Sequence, residues 1–332
     1  MPVQWTTFPM EFKGGLISNL TPLQQGTNAI GSATILQNFE SDREGGYSKL
    51  KGYTKFSNTA VPGTGDVLAM KVISSGRAVV ARKVNAAAVA AYGTLSSGDL
   101  NKTAYYHGTG SAWAHVGTSS STNTLKTRHA SFNFTQEDKT IFVDSKSFPI
   151  IFNSSGNTTV SLTASNSSDV QGAENVAVFK NHAFYSKGSK IFFTAPNTVD
   201  DFATGNGAGT INIGFDVTGM VGFRDQLIIV TTDTIKKLVG NTSSDFRLEP
   251  ITDRIGCINP DSIQEFGGDI AYLSPDGIRL LSATDRIGDL ALDIASDPIY
   301  KDANEFIAQT DTFCSVLVRG KSQYRLFAYV PS

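Results

Sequence analysis

Apolar and polar positions recur along this chain with a period of 43 to 45 residues. Four segments end in a phenylalanine that is followed by two to four polar or glycine residues and then by an apolar strand. These phenylalanines are Phe134, Phe179, Phe223 and Phe266. A repeat of this length made of short strands is typical of a β-propeller blade. We therefore predict that the four phenylalanines are core residues that pack between adjacent blades.

The repeating unit reads as strand, short turn, strand, tight turn, strand and a variable connection. The predicted second strands are residues 139–143, 183–186, 227–230 and 270–273, and the third strands are residues 148–152, 191–194, 235–239 and 278–281. Fainter copies lie at 67–82 and at 316–327, which gives about six units. The longer spacing at both ends predicts insertions, of which residues 102–116 would be one.

Other segments depart from the repeat. Residues 84–92 and 112–116 read as strands, and residues 119–124 as a loop. Residues 289–307 have a helical pattern that Pro298 splits into two short helices. We expect an all-β chain: a β-propeller of about six blades, with an irregular N-terminal arm and one short helical insertion near the C-terminus.

The domain prediction is residues 1–60 as N-terminal arm and first strands, and residues 61–332 as the propeller domain. Within the arm, residues 12–16, 33–39 and 47–56 read as strands, and residues 44–47 as a tight turn. Residues 325–330 form a strand of the last unit, which needs further strands for closure. Either residues 33–56 supply one, or the chain is the front part of a longer protein; the second alternative is favoured.

Charge is close to balanced in the 332 residues, with 28 Lys and Arg against 30 Asp and Glu, and only 17% of residues are charged. No basic tract exists, which argues against nucleic acid as the main partner. Cys257 and Cys314 lack metal-ligand spacing and are predicted to be buried free thiols. No signal peptide or membrane span is visible, which predicts synthesis in a reducing cytoplasm.

Catalytic and metal-binding patterns are missing from the sequence. The four histidines, His107, His115, His129 and His182, have no zinc-site spacing, and the glycine-rich residues 205–209 precede a strand rather than a helix. Asp144, Asp233 and Asp276 lie in tight turns, where they could ligate calcium or, as we prefer, bond the backbone two residues on. We predict no enzyme activity, no cofactor, no metal and no catalytic residue.

One enzyme class requires a specific test, because sialidases are propellers that use three arginines and a tyrosine. Arg224, Arg254, Arg279 and Tyr272 supply the residue types. However, residues 274–277 lack the spacer and the aromatic residue of the aspartate-box turn, and no other unit repeats it. Arg254 and Arg279 are therefore predicted to be surface or inter-blade salt-bridge partners.

Several segments resemble the tail nozzle, stabilisation or tail tubular structural proteins of tailed bacteriophages. Residues 13–16 (KGGL), 35–39 (ILQNF) and 44–47 (EGGY) are similar to the amino terminus of that family. Residues 221–230 (VGFRDQLIIV) with 234–238 (TIKKL), and residues 268–277 (GDIAYLSPDG), are similar to its inner-blade signature. Residues 84–125 have no counterpart in it.

The resemblance implies a β-propeller structural protein of the virion tail, made in the host cytoplasm. Such a protein forms a six-fold ring of its own copies, contacts neighbouring tail, adaptor and fibre proteins, and lines or seals the path through which DNA transiently passes. A baseplate role in a contractile tail is also open. The alternative is a propeller that binds host glycan or receptor. That alternative predicts aromatic residues clustered in loops, whereas the two tryptophans, Trp5 and Trp113, lie outside the repeated loops.

Overall fold

The computed structural model describes residues 14–21, 24, 31–41, 46–122, 126–162, 167–282, 294–310 and 312–329. These residues form an all-β protein of antiparallel sheets with two short α-helices, as the sequence predicts. The chain divides into two compact units. The larger unit is Lys55–Gly256, and the smaller unit joins the residues up to Thr54 with those from Cys257 onward.

The larger unit consists of four four-stranded antiparallel sheets, each a meander of strands that are consecutive in sequence. The first sheet contains β3 (Val67–Val72), β4 (Ala78–Lys83), β5 (Lys102–Gly108) and β6 (Trp113–Thr122), and the second contains β7 (Arg128–Phe134), β8 (Glu137–Val143), β9 (Ile150–Asn153) and β10 (Thr158–Ser161). The third contains β11 (Asn175–Phe179), β12 (His182–Lys187), β13 (Lys190–Phe193) and β14 (Gly209–Asn212), and the fourth contains β15 (Val217–Phe223), β16 (Gln226–Thr231), β17 (Ile235–Val239) and β18 (Arg247–Thr252).

The smaller unit has three shorter sheets. They are the hairpin β1 (Phe39–Ser41) and β2 (Tyr47–Lys49), the three-stranded β19 (Gln264–Phe266), β20 (Asp269–Ser274) and β21 (Gly277–Leu280), and the hairpin β22 (Phe313–Val318) and β23 (Gln323–Ala328). An isolated antiparallel bridge joins Arg279 to Ile294, in the place of a fourth strand beside β21. The β22–β23 sheet has only two strands among the described residues.

The sequence repeat is a hairpin whose turn requires two residues with positive φ. Each recurring phenylalanine ends the first strand of its sheet, and the second strand begins three residues later. The two residues between them have φ of 43° to 80°, which is typical of a type I′ turn. The turn residues are Thr135–Gln136, Lys180–Asn181, Arg224–Asp225 and Gly267–Gly268. The predicted strand–turn–strand unit is thus confirmed.

The first strands of the second, third and fourth sheets of the larger unit lie side by side. β11 is flanked by β7 on one side and by β15 on the other. The Asn175 side-chain amide donates to the Val217 carbonyl at 3.3 Å, and Lys180 forms an ion pair with Asp225 in the next I′ turn. Separate apolar clusters fill the spaces between consecutive sheets. Each sheet is therefore stabilised mainly by its immediate neighbours.

Burial of the recurring phenylalanines differs from the prediction. Phe134 and Phe179 are buried, and the Phe179 ring lies 6.2 Å from that of Phe184. Phe223 and Phe266 are only half-buried, so the prediction that all four are core residues is wrong for these two. The Phe223 ring lies 4.9 Å beneath the Arg224 guanidinium, a contact with a turn residue rather than with another sheet.

Three predictions for residues 84–124 are wrong. Residues 84–92 form helix α1 (Ala86–Ala91) instead of a strand, because alanine favours helix and the Asn85 side chain caps it by accepting from Ala88 N at 3.0 Å. Residues 102–116 are not an insertion but belong to β5 and β6 of the first sheet. The predicted loop at 119–124 continues β6 as far as Thr122, and residues 123–125 lie outside the described residues.

The predicted strands of the N-terminal arm are mostly wrong as well. Leu16 and Ala33 form only an isolated parallel bridge, and the strand predicted for 47–56 ends at Lys49. Residues 12–13, 42–45 and Trp5 lie outside the described residues. The helical prediction near the C-terminus is confirmed for residues 297–308. A 3-10 turn that contains Pro298 (Asp297–Ile299) leads directly into α2 (Tyr300–Ala308). Residues 289–293 are not described.

Candidate functional site

The four histidines each have a local structural partner. The His182 ring is buried and its Nδ1 lies 2.5 Å from the Thr194 carbonyl, while His107 Nδ1 lies 3.0 Å from the Ser155 carbonyl. His115 bridges the hydroxyls of Thr94 and Thr118, at 3.0 and 2.9 Å. The His129 ring packs edge-on against Phe142. Burial lowers the pKa of His115, which favours the neutral ring.

The arginines considered for carboxylate binding have separate local roles. The Arg279 side chain is buried and makes a two-pronged pair with Asp276, from Nε at 3.0 Å and from Nη2 at 2.5 Å. This hydrogen bond holds the pKa of Asp276 below its ordinary value. Arg224 stacks on Phe223, and Arg254 is exposed. Arg279 does form a salt bridge, but its side chain is buried and its partner lies in the same hairpin, so the prediction of a surface or inter-blade partner is wrong for this residue.

Of the three turn aspartates, Asp144 bonds the backbone as predicted, whereas Asp276 pairs with the Arg279 side chain and Asp233 is exposed. Asp144 is buried, and its Oδ1 accepts from the backbone of Lys146 at 3.0 Å and of Ser147 at 2.6 Å. The aspartate turn that we predict in place of a calcium site is therefore confirmed for Asp144. Across the described ranges, no group of three or more His, Cys, Asp or Glu side chains is placed to hold a metal ion, and neither helix is long and apolar enough to cross a membrane.

The two cysteines have different environments. Cys257 is buried, its thiol donates to the Asn259 carbonyl at 3.1 Å, and burial raises its pKa to about 11. Cys314 is free and exposed on β22, so the prediction of two buried thiols is wrong for this residue. The reason is the register of the hairpin, because Cys314 alternates with the buried Phe313 and Ser315.

The two glycine-rich N-terminal segments meet at one tyrosine. Gly15 N donates to the hydroxyl of Tyr47 at 2.7 Å, and that hydroxyl lies 3.2 Å from the carbonyls of both Gly15 and Gly31. A Cβ on Gly14 would lie 2.6 Å from the backbone of Ser32, and Gly15 has φ of 74°. Both glycines are therefore required by the fold of this segment. We call this arrangement the tyrosine clamp.

A buried carboxylate ties hairpin β1–β2 to β23. The Glu40 side chain is 8% exposed and pairs with Arg325 Nη2 at 2.6 Å and with Lys321. The Arg325 guanidinium also lies 3.2 Å from the Tyr53 hydroxyl. The hydrogen bond from Lys321 lowers the pKa of Glu40. Within the described residues, residues 33–56 do not add a strand to the last sheet as one alternative predicted. Hairpins β1–β2 and β22–β23 are separate sheets that these side-chain pairs join.

One face of hairpin β22–β23 presents exposed apolar side chains beside Arg325. Cys314 pairs with Phe327 across the hairpin, Val316 pairs with Arg325, and Tyr329 continues the alternation beyond Phe327. Phe327 is 47% exposed and Tyr329 is 66% exposed. We call Cys314, Val316, Phe327 and Tyr329 the hairpin face. In the N-terminal segment, Ile35 is 77% exposed and Phe39 is 51% exposed.

Sequence reasoning missed both the hairpin face and the Glu40–Arg325 pair. The hairpin face has a detectable signal, because Phe327 and Tyr329 alternate with Leu326 and Ala328, but the sequence does not say which of the two faces is covered. Nothing in the spacing links Glu40 to Arg325, which lie 285 residues apart. The hairpin face offers a surface for contact with another protein, because clustered apolar side chains in water mark such sites.

No family model and no curated protein matches the chain. Among solved structures, it is similar to the extracellular domain of a putative hybrid two-component system from B. thetaiotaomicron, with 9% identity, 74% of this chain and 28% of that chain covered, and a TM-score of 0.44. It is also similar to a glucose dehydrogenase, with 10% identity, coverage of 71% and 86%, and a TM-score of 0.40. The chain spans less than a third of the length of the bacterial sensor domains that it matches. Similarity at this level carries no conclusion about activity.

Proposed function

We propose that this protein is a structural component of a tailed-phage virion, a β-propeller of about six blades that forms a ring with copies of itself. The ring belongs to the tail nozzle, hub or stabilisation type. It connects neighbouring tail, adaptor and fibre proteins, and it lines or seals the path through which DNA leaves the particle. The protein is synthesised in the host cytoplasm and resides in the tail.

Sheet topology supports the propeller part of the proposal. Four consecutive four-stranded meanders, of which the last three have their first strands side by side, are expected of neighbouring blades. The three-stranded sheet with its Ile294 bridge and the hairpin β22–β23 would supply the fifth and sixth blades. The same I′ turn ends the first strand in four of these six sheets.

The tyrosine clamp is the observation that best supports a role in the virion tail. The resemblance to tail proteins depends on three separate N-terminal segments, and two of them, residues 13–16 and 44–47, meet where Gly15 bonds the Tyr47 hydroxyl. The third segment, residues 35–39, is held by the hydrogen bond from Leu50 N to the Asn38 carbonyl and leaves Ile35 and Phe39 in water. A segment that is held in place yet presents apolar side chains is suited to packing on another protein.

Charge supports a structural role over direct DNA recognition. The net charge is −2, and phosphate binding requires clustered Lys and Arg. A near-neutral ring can let DNA pass without holding it. The paired Arg279 and Asp276, together with the backbone-bonded Asp144, are explained by structure alone and leave the sialidase alternative without a motif.

Sedimentation velocity and electron microscopy test the proposal directly. We expect the purified protein to form a six-fold ring, alone or with its tail partners, and an antibody to this chain to label the tail of intact particles. A chain that stays monomeric at every concentration and that antibodies fail to detect in purified virions would contradict the proposal.

A further inference from the structure

Strand β23 has an outer edge that no described strand covers. The β22–β23 sheet has two strands among the described residues, whereas every sheet of the larger unit adds a third strand to the outer side of its second strand. β22 is the first strand of the pair and lies beside β19 of the preceding sheet. The outer side of β23 is therefore the position at which a third strand would pair.

The register of the hairpin shows which backbone groups point to that side. Tyr329 N donates to the Thr312 carbonyl at 2.9 Å, and the antiparallel pairing continues along the whole hairpin without a shift. In such a pair, residues bonded to the partner strand alternate with residues whose N–H and C=O point away. Tyr324, Leu326 and Ala328 are the residues that point away. None of their backbone N–H and C=O groups has a hydrogen-bond partner in the part of the chain that the structure describes.

The outer strands of the larger unit carry features that block pairing with a further strand. Short length, proline and β-bulges are the usual features of this kind. β6, β10 and β18 pair in irregular register, β18 also contains Pro250, and β14 has only four residues. β23 has six residues in regular register, with neither proline nor glycine. Its edge is therefore open to pairing where the others are blocked.

The side chains beside this edge select the kind of strand that fits. Phe327 is 47% exposed on one face of the hairpin, so an apolar side chain of an added strand would cover it. Arg325, on the same face, shares the single Glu40 carboxylate with Lys321, which leaves an excess of positive charge beside the edge. An acidic side chain two positions from the apolar one would therefore lie next to Arg325.

We propose that the outer edge of β23 binds an extended segment of another protein, which adds a third strand to the sheet. The segment spans about five residues, because the open backbone groups run from Tyr324 to Ala328. It carries an apolar and an acidic side chain at alternate positions. Its main chain supplies the hydrogen bonds, and its side chains supply the selectivity. The inference goes beyond the proposed ring and does not depend on it, because it concerns a backbone edge rather than a contact between copies.

Hydrogen exchange of the full chain, resolved to single residues, tests the proposal with a synthetic strand. The probe is acetyl-TVTETVT-amide, which places valine and glutamate at alternate positions. We expect the amides of Tyr324, Leu326 and Ala328 to exchange quickly in the free protein and at least about fivefold more slowly with about 1 mM probe. The amides of Arg325 and Phe327, which bond β22, should change less.

Modified probes separate strand pairing from side-chain contact. One probe is N-methylated at its threonines and a second at its other residues, so the two probes have their blocked amides on opposite edges. Only one edge of an added strand faces β23, so one methylated probe should lose the protection and the other should keep it. A probe with lysine in place of glutamate should bind more weakly, because it places a cation beside Arg325.

On the protein side, Leu326→Pro removes an outward N–H and should weaken probe binding at least about tenfold. Leu326→Ala is the matched control, since it shortens the same side chain but keeps the amide, and it should bind nearly as the parent does. If Leu326→Pro fails to fold, Ala328→Pro takes its place. Slow exchange of the outward amides already in the free protein, equal effects of the two methylated probes, or no protection by the unmodified probe would overturn the proposal.

Discussion

Equivalent residues in a repeat need not contribute equally to stability. Phe134 and Phe223 both end the first strand of their sheets, yet Phe134 is fully buried and Phe223 is half-buried. We expect Phe134→Ala to lower the free energy of unfolding by about 3–5 kcal/mol. Phe223→Ala should cost only about 1 kcal/mol, since part of its surface already contacts water. Urea unfolding of the two variants measures both values, and equal losses would contradict the burial difference.

The two thiols should differ in reactivity at mild alkaline pH. Burial raises the pKa of Cys257 to about 11, so at pH 8 almost none of it is thiolate, and its thiol is out of reach of reagents. Cys314 is exposed on the hairpin face. We expect a thiol reagent to label one cysteine of the native protein at concentrations where it is monomeric, so that no second copy covers the hairpin face, and two cysteines after denaturation. Cys314→Ser should remove all native labelling, whereas labelling that persists in this variant would contradict the assignment.

At the scale of elements, the I′ turns differ in how well their residues suit positive φ. The second turn residue is Gln136 at φ 66° in one hairpin and Gly268 at φ 80° in another. A residue with a Cβ is strained there and glycine is not. We therefore expect Gln136→Gly to raise, and Gly268→Ala to lower, the free energy of unfolding by about 0.5–1 kcal/mol each. Thermal unfolding of the two variants measures whether stability changes in opposite directions. A change in the same direction for both would show that the turn geometry does not determine these stability changes.

The link between hairpin β1–β2 and β23 should weaken in acid. Pairing with Lys321 lowers the pKa of Glu40 from its ordinary value of 4.5, so the stabilisation is present above pH 4.5 and is lost as the pH falls through the folded-state pKa. We expect hydrogen exchange of residues 39–41 and 47–49, corrected for intrinsic rates, to rise over that interval. Glu40→Gln should show fast exchange already at pH 7.

The matched control for the acid effect is Glu137→Gln. Glu137 is an exposed glutamate of β8 that pairs with Lys139 of the same strand, in a different sheet from hairpin β1–β2. It should leave the exchange of hairpin β1–β2 unchanged at every pH. If Glu40→Gln exchanges as slowly as the parent protein at pH 7, the carboxylate is not what holds the hairpin.

Sequence reasoning recovered the elements whose signals are local. The repeat was found because an apolar strand, two turn residues and a second apolar strand recur together, and a type I′ turn fixes that spacing. Helix α1 was missed because Val89 within the alanine run suggested a strand, while the decisive signal was Asn85 as a cap. Burial of Phe223 was mispredicted because a repeat pattern does not say which neighbour covers a given position.

The candidate sites were beyond sequence reasoning for a different reason. The tyrosine clamp joins residues 32 positions apart, and the Glu40–Arg325 pair joins residues 285 positions apart. Such pairings follow from how sheets are placed, which periodicity alone does not determine.

At the scale of the whole molecule, assembly should depend on apolar contact rather than on charge. The net charge is −2, so ring formation should persist at about 0.5 M salt, where exposed charges are screened. The hairpin face is the apolar surface of the smaller unit on which we expect a second copy to pack. Its central residue, Phe327, is already exposed, so a charge placed there should cost the folded chain little stability.

We expect Phe327→Asp to abolish the ring and to leave a folded monomer, because a buried, unpaired carboxylate is too costly at an interface. Phe215→Asp is the matched control, since Phe215 is 56% exposed and lies in the larger unit, outside the hairpin face. Sedimentation velocity measures the size of the assembly, and the unfolding temperature shows whether each variant is folded. A Phe327→Asp protein that still sediments as the parent ring would exclude the hairpin face as the contact between copies, whereas loss of the ring in both variants would show that any added charge disrupts it.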